Sequence, residues 1–165
     1  MNDIAVKDMV WQPVGEAAME ALGGQLGQLM ATSPSAFTLF LQGTLGAGKT
    51  TLSRGILRAL GHRGAVKSPT YTLVETYSLG NRTLHHFDLY RLGDPEELEY
   101  LGIRDYLAGD NLCLIEWPER GEGLLPPPDW RLVIEPLPEA RRVHLHAETP
   151  AGEALLRALW AKTPS

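Results

Sequence analysis

The segment Gly43-Thr44-Leu45-Gly46-Ala47-Gly48-Lys49-Thr50 constrains this chain more than any other feature. It fits G-x-x-x-x-G-K-[ST] at every fixed position, the spacing at which backbone N–H groups of a loop converge on a phosphate. That chemistry needs a buried strand entering the loop and a helix leaving it. Phe37-Thr38-Leu39-Phe40-Leu41 is a short apolar run between breakers, which predicts a buried strand. Residues 49–60 read as a helix stopped by Gly61. The glycines keep side chains out of the phosphate path, and the helix start adds the positive end of its dipole. On this reading Gly43, Thr44, Leu45, Gly46, Ala47, Gly48, Lys49, Thr50 and Thr51 cradle a nucleoside triphosphate. Lys49 reaches the β- and γ-phosphates, Thr50 serves Mg²⁺, and Thr51 offers a donor to the α-phosphate.

The rest of the chain alternates strands and helices. A weak strand pattern covers residues 4–10, and a helix covers residues 14–30 with Gly23 and Gly24 weakening its middle. Residues 84–90 read as a strand. Pro95-Glu96-Glu97-Leu98-Glu99 starts a short acidic helix, with Pro95 in the first turn and Asp94 as its expected N-cap. Leu112-Cys113-Leu114-Ile115 is a second fully buried strand. Residues 131–135 and 142–146 alternate as an antiparallel pair at one edge of the sheet, with His144 and His146 on an edge strand, and residues 152–162 form a terminal helix. This order predicts one α/β domain over residues 1–165: a P-loop NTPase-like three-layer α/β/α arrangement, mostly parallel, with antiparallel edge strands.

A phosphate loop of this kind needs an acidic group near the metal, usually at a neighbouring strand end. Glu116 ends the Leu112–Ile115 run, so it is either that carboxylate or the first exposed residue of a core strand. Asp88 follows Leu84-His85-His86-Phe87 and reads either as a ligand or as a turn residue. Ser68-Pro69-Thr70-Tyr71 reads either as an ordinary loop or as a switch that reports on the γ-phosphate. His85 reads as a strand residue without a catalytic role, and Cys113 as a small buried apolar side chain.

Composition narrows the classes further. A net charge of -5 argues against a surface built to grip nucleic acid. The single cysteine, Cys113, fits a reducing compartment. No apolar run approaches the roughly 20 residues of a membrane span, and the first residues do not resemble a signal peptide, so the expectation is a cytoplasmic protein without a membrane partner. A small-molecule kinase shares the length and the loop, but no Arg-rich lid follows Gly102. A GTPase would carry Asn/Thr-Lys-x-Asp, which is absent, so ATP is the expected nucleotide.

Taken in order, residues 43–51, Ser68-Pro69-Thr70-Tyr71, His86-Phe87-Asp88-Leu89-Tyr90-Arg91-Leu92, Glu96-Glu97-Leu98 with Leu101-Gly102, and Ile115-Glu116-Trp117-Pro118-Glu119 resemble the TsaE (formerly YjeE) family. These are small bacterial ATPases required for threonylcarbamoyl-adenosine modification of tRNA. The resemblance is strong over residues 43–125. It implies ATP, Mg²⁺ and slow hydrolysis, with Asp88 and Glu116 at the metal and catalytic water beside Lys49 and Thr50. It also implies a switch at Thr70 and a place for Trp117 near the nucleotide. The implied partners are the TsaB and TsaD proteins, with tRNA reached through them.

Overall fold

The computed structural model describes residues 6–69 and 71–162. In chain order the elements are β1 (Asp8–Trp11), α1 (Gly15–Met30), β2 (Phe37–Gly43), α2 (Lys49–Ala59), β3 (Val74–Leu79), β4 (Arg82–Asp88), α3 (Glu96–Leu101), α4 (Ile103–Tyr106), β5 (Leu112–Glu116), a 3₁₀ turn (Pro118–Gly121), β6 (Trp130–Pro136), β7 (Arg141–Ala147) and α5 (Pro150–Lys162). The strands form one sheet in the order β1-β7-β6-β2-β5-β4-β3. The four central strands, β6, β2, β5 and β4, run parallel. The flanking pairings β1–β7, β6–β7 and β3–β4 are antiparallel. The α/β class with antiparallel edges holds, and the six pairings divide evenly between the two kinds.

Strand alternation sends successive side chains to opposite faces, and both faces of the centre are apolar. Leu39, Leu41, Leu112, Leu114, Trp130 and Leu132 meet α1, α2 and α5 in one core. Phe40, Phe87, Cys113 and Ile115 meet Leu98 of α3 and Ile103 of α4 in a second, smaller one. Burying both sides explains why β2 and β5 read as unbroken apolar runs.

The glycines of α1 serve packing. A Cβ at Gly23 would run into the Leu52 carbonyl of α2, and one at Gly55 into the Glu20 carbonyl of α1. The two helices therefore cross with backbones in contact, and the propensity cost noted at Gly23 is offset by that approach.

Several expectations change at the margins. The first strand is Asp8–Trp11, displaced from residues 4–10, of which 4 and 5 lie outside the described residues. It pairs with β7, so β7 is not the edge, and the Asp8 carboxylate holds both His144 at 2.7 Å and His146 at 2.8 Å. β4 ends at Asp88, two residues early. Pro95 takes the N-cap position of α3, while the Asp94 side chain accepts the Glu96 N–H at 2.9 Å. Among the described residues, no helix is long and apolar enough to cross a membrane.

Candidate nucleotide site at the end of the parallel strands

β2 delivers the chain to the loop and α2 takes it away, as a phosphate cradle requires. Gly48 is the N-cap residue of α2 at φ 115°, a conformation an L side chain resists. Its carbonyl accepts the Leu52 N–H at 3.0 Å, and Ala47 N–H closes onto Thr44 O at 3.1 Å. The first turn of α2 carries no acidic residue to compete with an anion. Arg141, at the start of β7, donates from Nε to Ala47 O at 2.9 Å and braces the loop from outside. Nothing in the sequence flagged Arg141, because it stands 94 residues from its partner and only the β6–β7 register brings it there.

Parallel strands end together, and here that brings the carboxylates together. Asp88 at the end of β4 lies directly across from Glu116 at the end of β5. Both are buried, at 4% and 2% exposure, as is Lys49 at 6%. Glu116 Oε2 accepts the Ser68 hydroxyl at 2.8 Å and His86 Nε2 at 2.6 Å. Burial alone would raise the Glu116 pKa, but the hydrogen bond and charge of His86, the Ser68 bond and the Lys49 charge outweigh it, so the carboxyl titrates below its ordinary value. Asp88 Oδ1 accepts the Tyr90 N–H at 3.0 Å.

Lys49 points across the loop. Its Nζ donates to Gly43 O at 2.7 Å and stands 3.9 Å above the Trp117 ring. Burial lowers its pKa, against the opposing pull of Glu116, Asp88 and Glu119. Trp117 itself is held at φ 56°, an unusual conformation for a bulky residue, and its ring meets Tyr90 at 4.8 Å. The Trp117 conformation turns the chain out of β5 so that its ring faces Lys49.

A cavity of about 320 Å³ gathers Leu45, Gly46, Gly48, Lys49, Thr50, Thr51, Ser68, Asp88, Glu116 and Trp117. Of the other residues singled out in the sequence, Gly43 contributes through its carbonyl to Lys49, and Ala47 is buried behind the loop. Thr44, Pro69 and Tyr71 do not line the cavity. Tyr71 is 84% exposed, with the Arg91 guanidinium 4.5 Å from its ring. Thr70 lies outside the described residues. A second cavity, of about 280 Å³, shares Gly46, Gly48 and Thr51 with the first and extends to the start of α1 and to Arg141. His86 is the residue that sequence reading missed inside the site. Cys113 and His85 belong to the opposite face: burial pushes the Cys113 thiol up to about 12, and His85, its pKa lowered by burial, bonds Thr76 at 2.8 Å.

The donor set suits a hard cation, since Thr50, Ser68, Asp88 and Glu116 all offer oxygen. Among the described residues no group of three or more His, Cys, Asp and Glu is placed to hold a metal. Mg²⁺ bound through one or two carboxylates and substrate phosphates does not require such a group.

Strand, glycine loop, helix and cross-strand carboxylates together define a P-loop α/β protein. The family is equally plain. Residues 14–143 match the model of "Threonylcarbamoyl adenosine biosynthesis protein TsaE". The chain is 48% identical to the "tRNA threonylcarbamoyladenosine biosynthesis protein TsaE" of Haemophilus influenzae, over 87% of this chain and 92% of that one. It is 36% identical to the Bacillus subtilis protein of the same description, over 79% of each. The fold matches the crystal structure of Bacillus subtilis YdiB with a TM-score of 0.78 at 29% identity, over 96% of this chain and 98% of that one. This chain belongs to the TsaE family.

Proposed function

We propose that this chain is a Mg²⁺-dependent ATPase that serves threonylcarbamoyl-adenosine modification of tRNA, acting on a TsaB–TsaD partner complex. The observation that carries the reading is the meeting of Lys49, Thr50, Asp88 and Glu116 in one cavity at the mouth of the glycine loop. The names of the relatives supply the pathway.

The triphosphate lies along the loop N–H groups and the start of α2, and the nucleoside extends into the second cavity beside Arg141. Lys49 exchanges its bond to Gly43 O for the β- and γ-phosphate oxygens, and Trp117 closes over it. Thr50, Asp88 and Glu116 would hold Mg²⁺, which when bound neutralises charge on the bridging phosphates. Glu116 and Asp88 orient the attacking water and accept its hydrogen bonds. In such sites rate comes from positioning and charge stabilisation. The segment from Ser68 to Tyr71 orders around the γ-phosphate and meets the partners. Hydrolysis by the chain alone is therefore slow, and docking speeds it.

The test is ATP hydrolysis by the purified chain, alone and with TsaB and TsaD. Weak turnover that rises with the partners is the expected result. Turnover that ignores them and answers to a small phosphoryl acceptor would replace this reading with a small-molecule kinase.

A further inference from the structure

His86 is fully buried in β4, one turn of the strand pleat before Asp88, on the face that looks toward α2. Its strand partner in register is Leu114, so its ring reaches diagonally to Glu116 on β5. Nε2 meets Glu116 Oε2 at 2.6 Å. A carboxylate oxygen accepts, so Nε2 carries the hydrogen. The other ring nitrogen, Nδ1, is buried and has no hydrogen-bond partner among the described residues.

A histidine buried with one nitrogen unsatisfied is costly to keep if its only task is to fill space. A leucine would fill the same apolar layer without a polar atom. What the imidazole adds is a single short bond to one oxygen of one acid. Ser68 donates to the same oxygen. Both protein donors thus fall on Oε2, and among the described residues no hydrogen bond falls on Oε1, while Glu116 lines the cavity.

We infer that His86 is a positioning residue for Glu116: it fixes the carboxylate so that Oε1 is the oxygen presented to the metal and its water. It touches neither nucleotide nor cation. This inference rests on the nucleotide-site reading above and extends it to a residue whose partner is 30 positions away in the chain. Without the imidazole, Glu116 loses the firmer of its two anchors and turns about its last torsions, toward Lys49 among other partners. The consequence falls on metal binding, since the loop N–H groups that hold the phosphates do not depend on Glu116.

The experiment compares His86→Asn, which withdraws the donor, with His86→Gln, whose amide places a donor where Nε2 stands. Mn²⁺ affinity of the ADP-loaded protein is read by electron paramagnetic resonance, and ADP affinity in EDTA by calorimetry. H86N is expected to weaken Mn²⁺ about 10- to 100-fold, in line with the loss of an outer partner of a metal ligand. H86Q is expected to restore most of that loss, and ADP binding in EDTA is expected to match in all three proteins. Unchanged Mn²⁺ affinity in H86N, or H86Q as weak as H86N, overturns the inference. Loss of metal-free ADP binding in both variants overturns it too, by assigning His86 to packing. If H86N does not fold, His86→Leu, which fills the apolar layer without a donor, takes its place: the same loss of Mn²⁺ affinity then supports the inference, and none overturns it. Wild-type protein that binds no ADP overturns the nucleotide reading itself, a result distinct from the others.

Discussion

The two sides of the phosphate loop are built in opposite ways. Behind it, α1 and α2 touch backbone to backbone at Gly23 and Gly55, and Leu26, Leu52 and Ile56 are wholly buried around that crossing. In front of it, the described residues between α2 and β3 form no helix or strand, Tyr71 is 84% exposed, and Leu73 sits at φ 68°. Among the described residues, the hydrogen bonds of that segment are mostly local, such as Leu73 N–H to Pro69 O at 3.0 Å and Arg58 to the His62 and Gly64 carbonyls, while Ser68 reaches Glu116 at 2.8 Å. Regions with few buried contacts open at low free-energy cost, and sites that must move are drawn from them. On the function proposed above, the back holds the loop for the phosphates and the front is where a γ-phosphate would act.

The comparison can be broken most severely at the helix crossing. Gly55→Val puts atoms where the Glu20 carbonyl stands. It is expected to cost about 3 kcal/mol or abolish folding, as overpacking against immovable backbone does. Urea denaturation reads it, and a loss below about 1 kcal/mol would mean the crossing is not close-packed. At the strand ends, Asp88→Ala is expected to leave ATP affinity nearly intact and cut hydrolysis about 100-fold, the scale of losing one group that stabilises the transition state. Full activity would remove Asp88 from the mechanism.

A smaller effect should appear in acid. The Glu116 pKa is lowered in the fold from its ordinary 4.5. Its ionised form therefore contributes stability that is present above pH 4.5 and is lost as pH falls through the lower folded value. Glu116→Gln should show a shallower decline of stability over that acid range, followed by thermal melts from neutral pH downward. An identical slope would contradict the assignment of those bonds to the ionised carboxylate. The smallest effect belongs to the front: Tyr71→Ala should change stability by less than about 0.5 kcal/mol, as exposed substitutions do, and a change above about 1 kcal/mol would mean that this segment is more tightly packed than the back–front contrast allows.

How far the sequence could be read follows the same division. The phosphate loop was legible because its parts are contiguous, and Glu116 because an apolar strand ended on it. β3 was missed because its polar residues, such as Glu75 and Ser78, follow an edge strand with no fully buried position. α4, at four residues, is too short to show a period. Gly23 looked like a weakness in α1, since its reason lies on another helix. His86 and Arg141 escaped for one cause: each acts through a partner that only sheet register supplies. His144 and His146 were placed on the edge because β1, with its weak apolar pattern, did not announce that it would cover them.

The nucleotide site is tested most directly by calorimetric titration of ATP with Mg²⁺ into the wild-type chain and into Lys49→Ala. One site per chain is expected, with affinity reduced at least about 100-fold in the variant while its thermal unfolding stays cooperative. Absence of ATP binding by the wild type, or equal affinity in the variant, would contradict a nucleotide site at the end of the parallel strands.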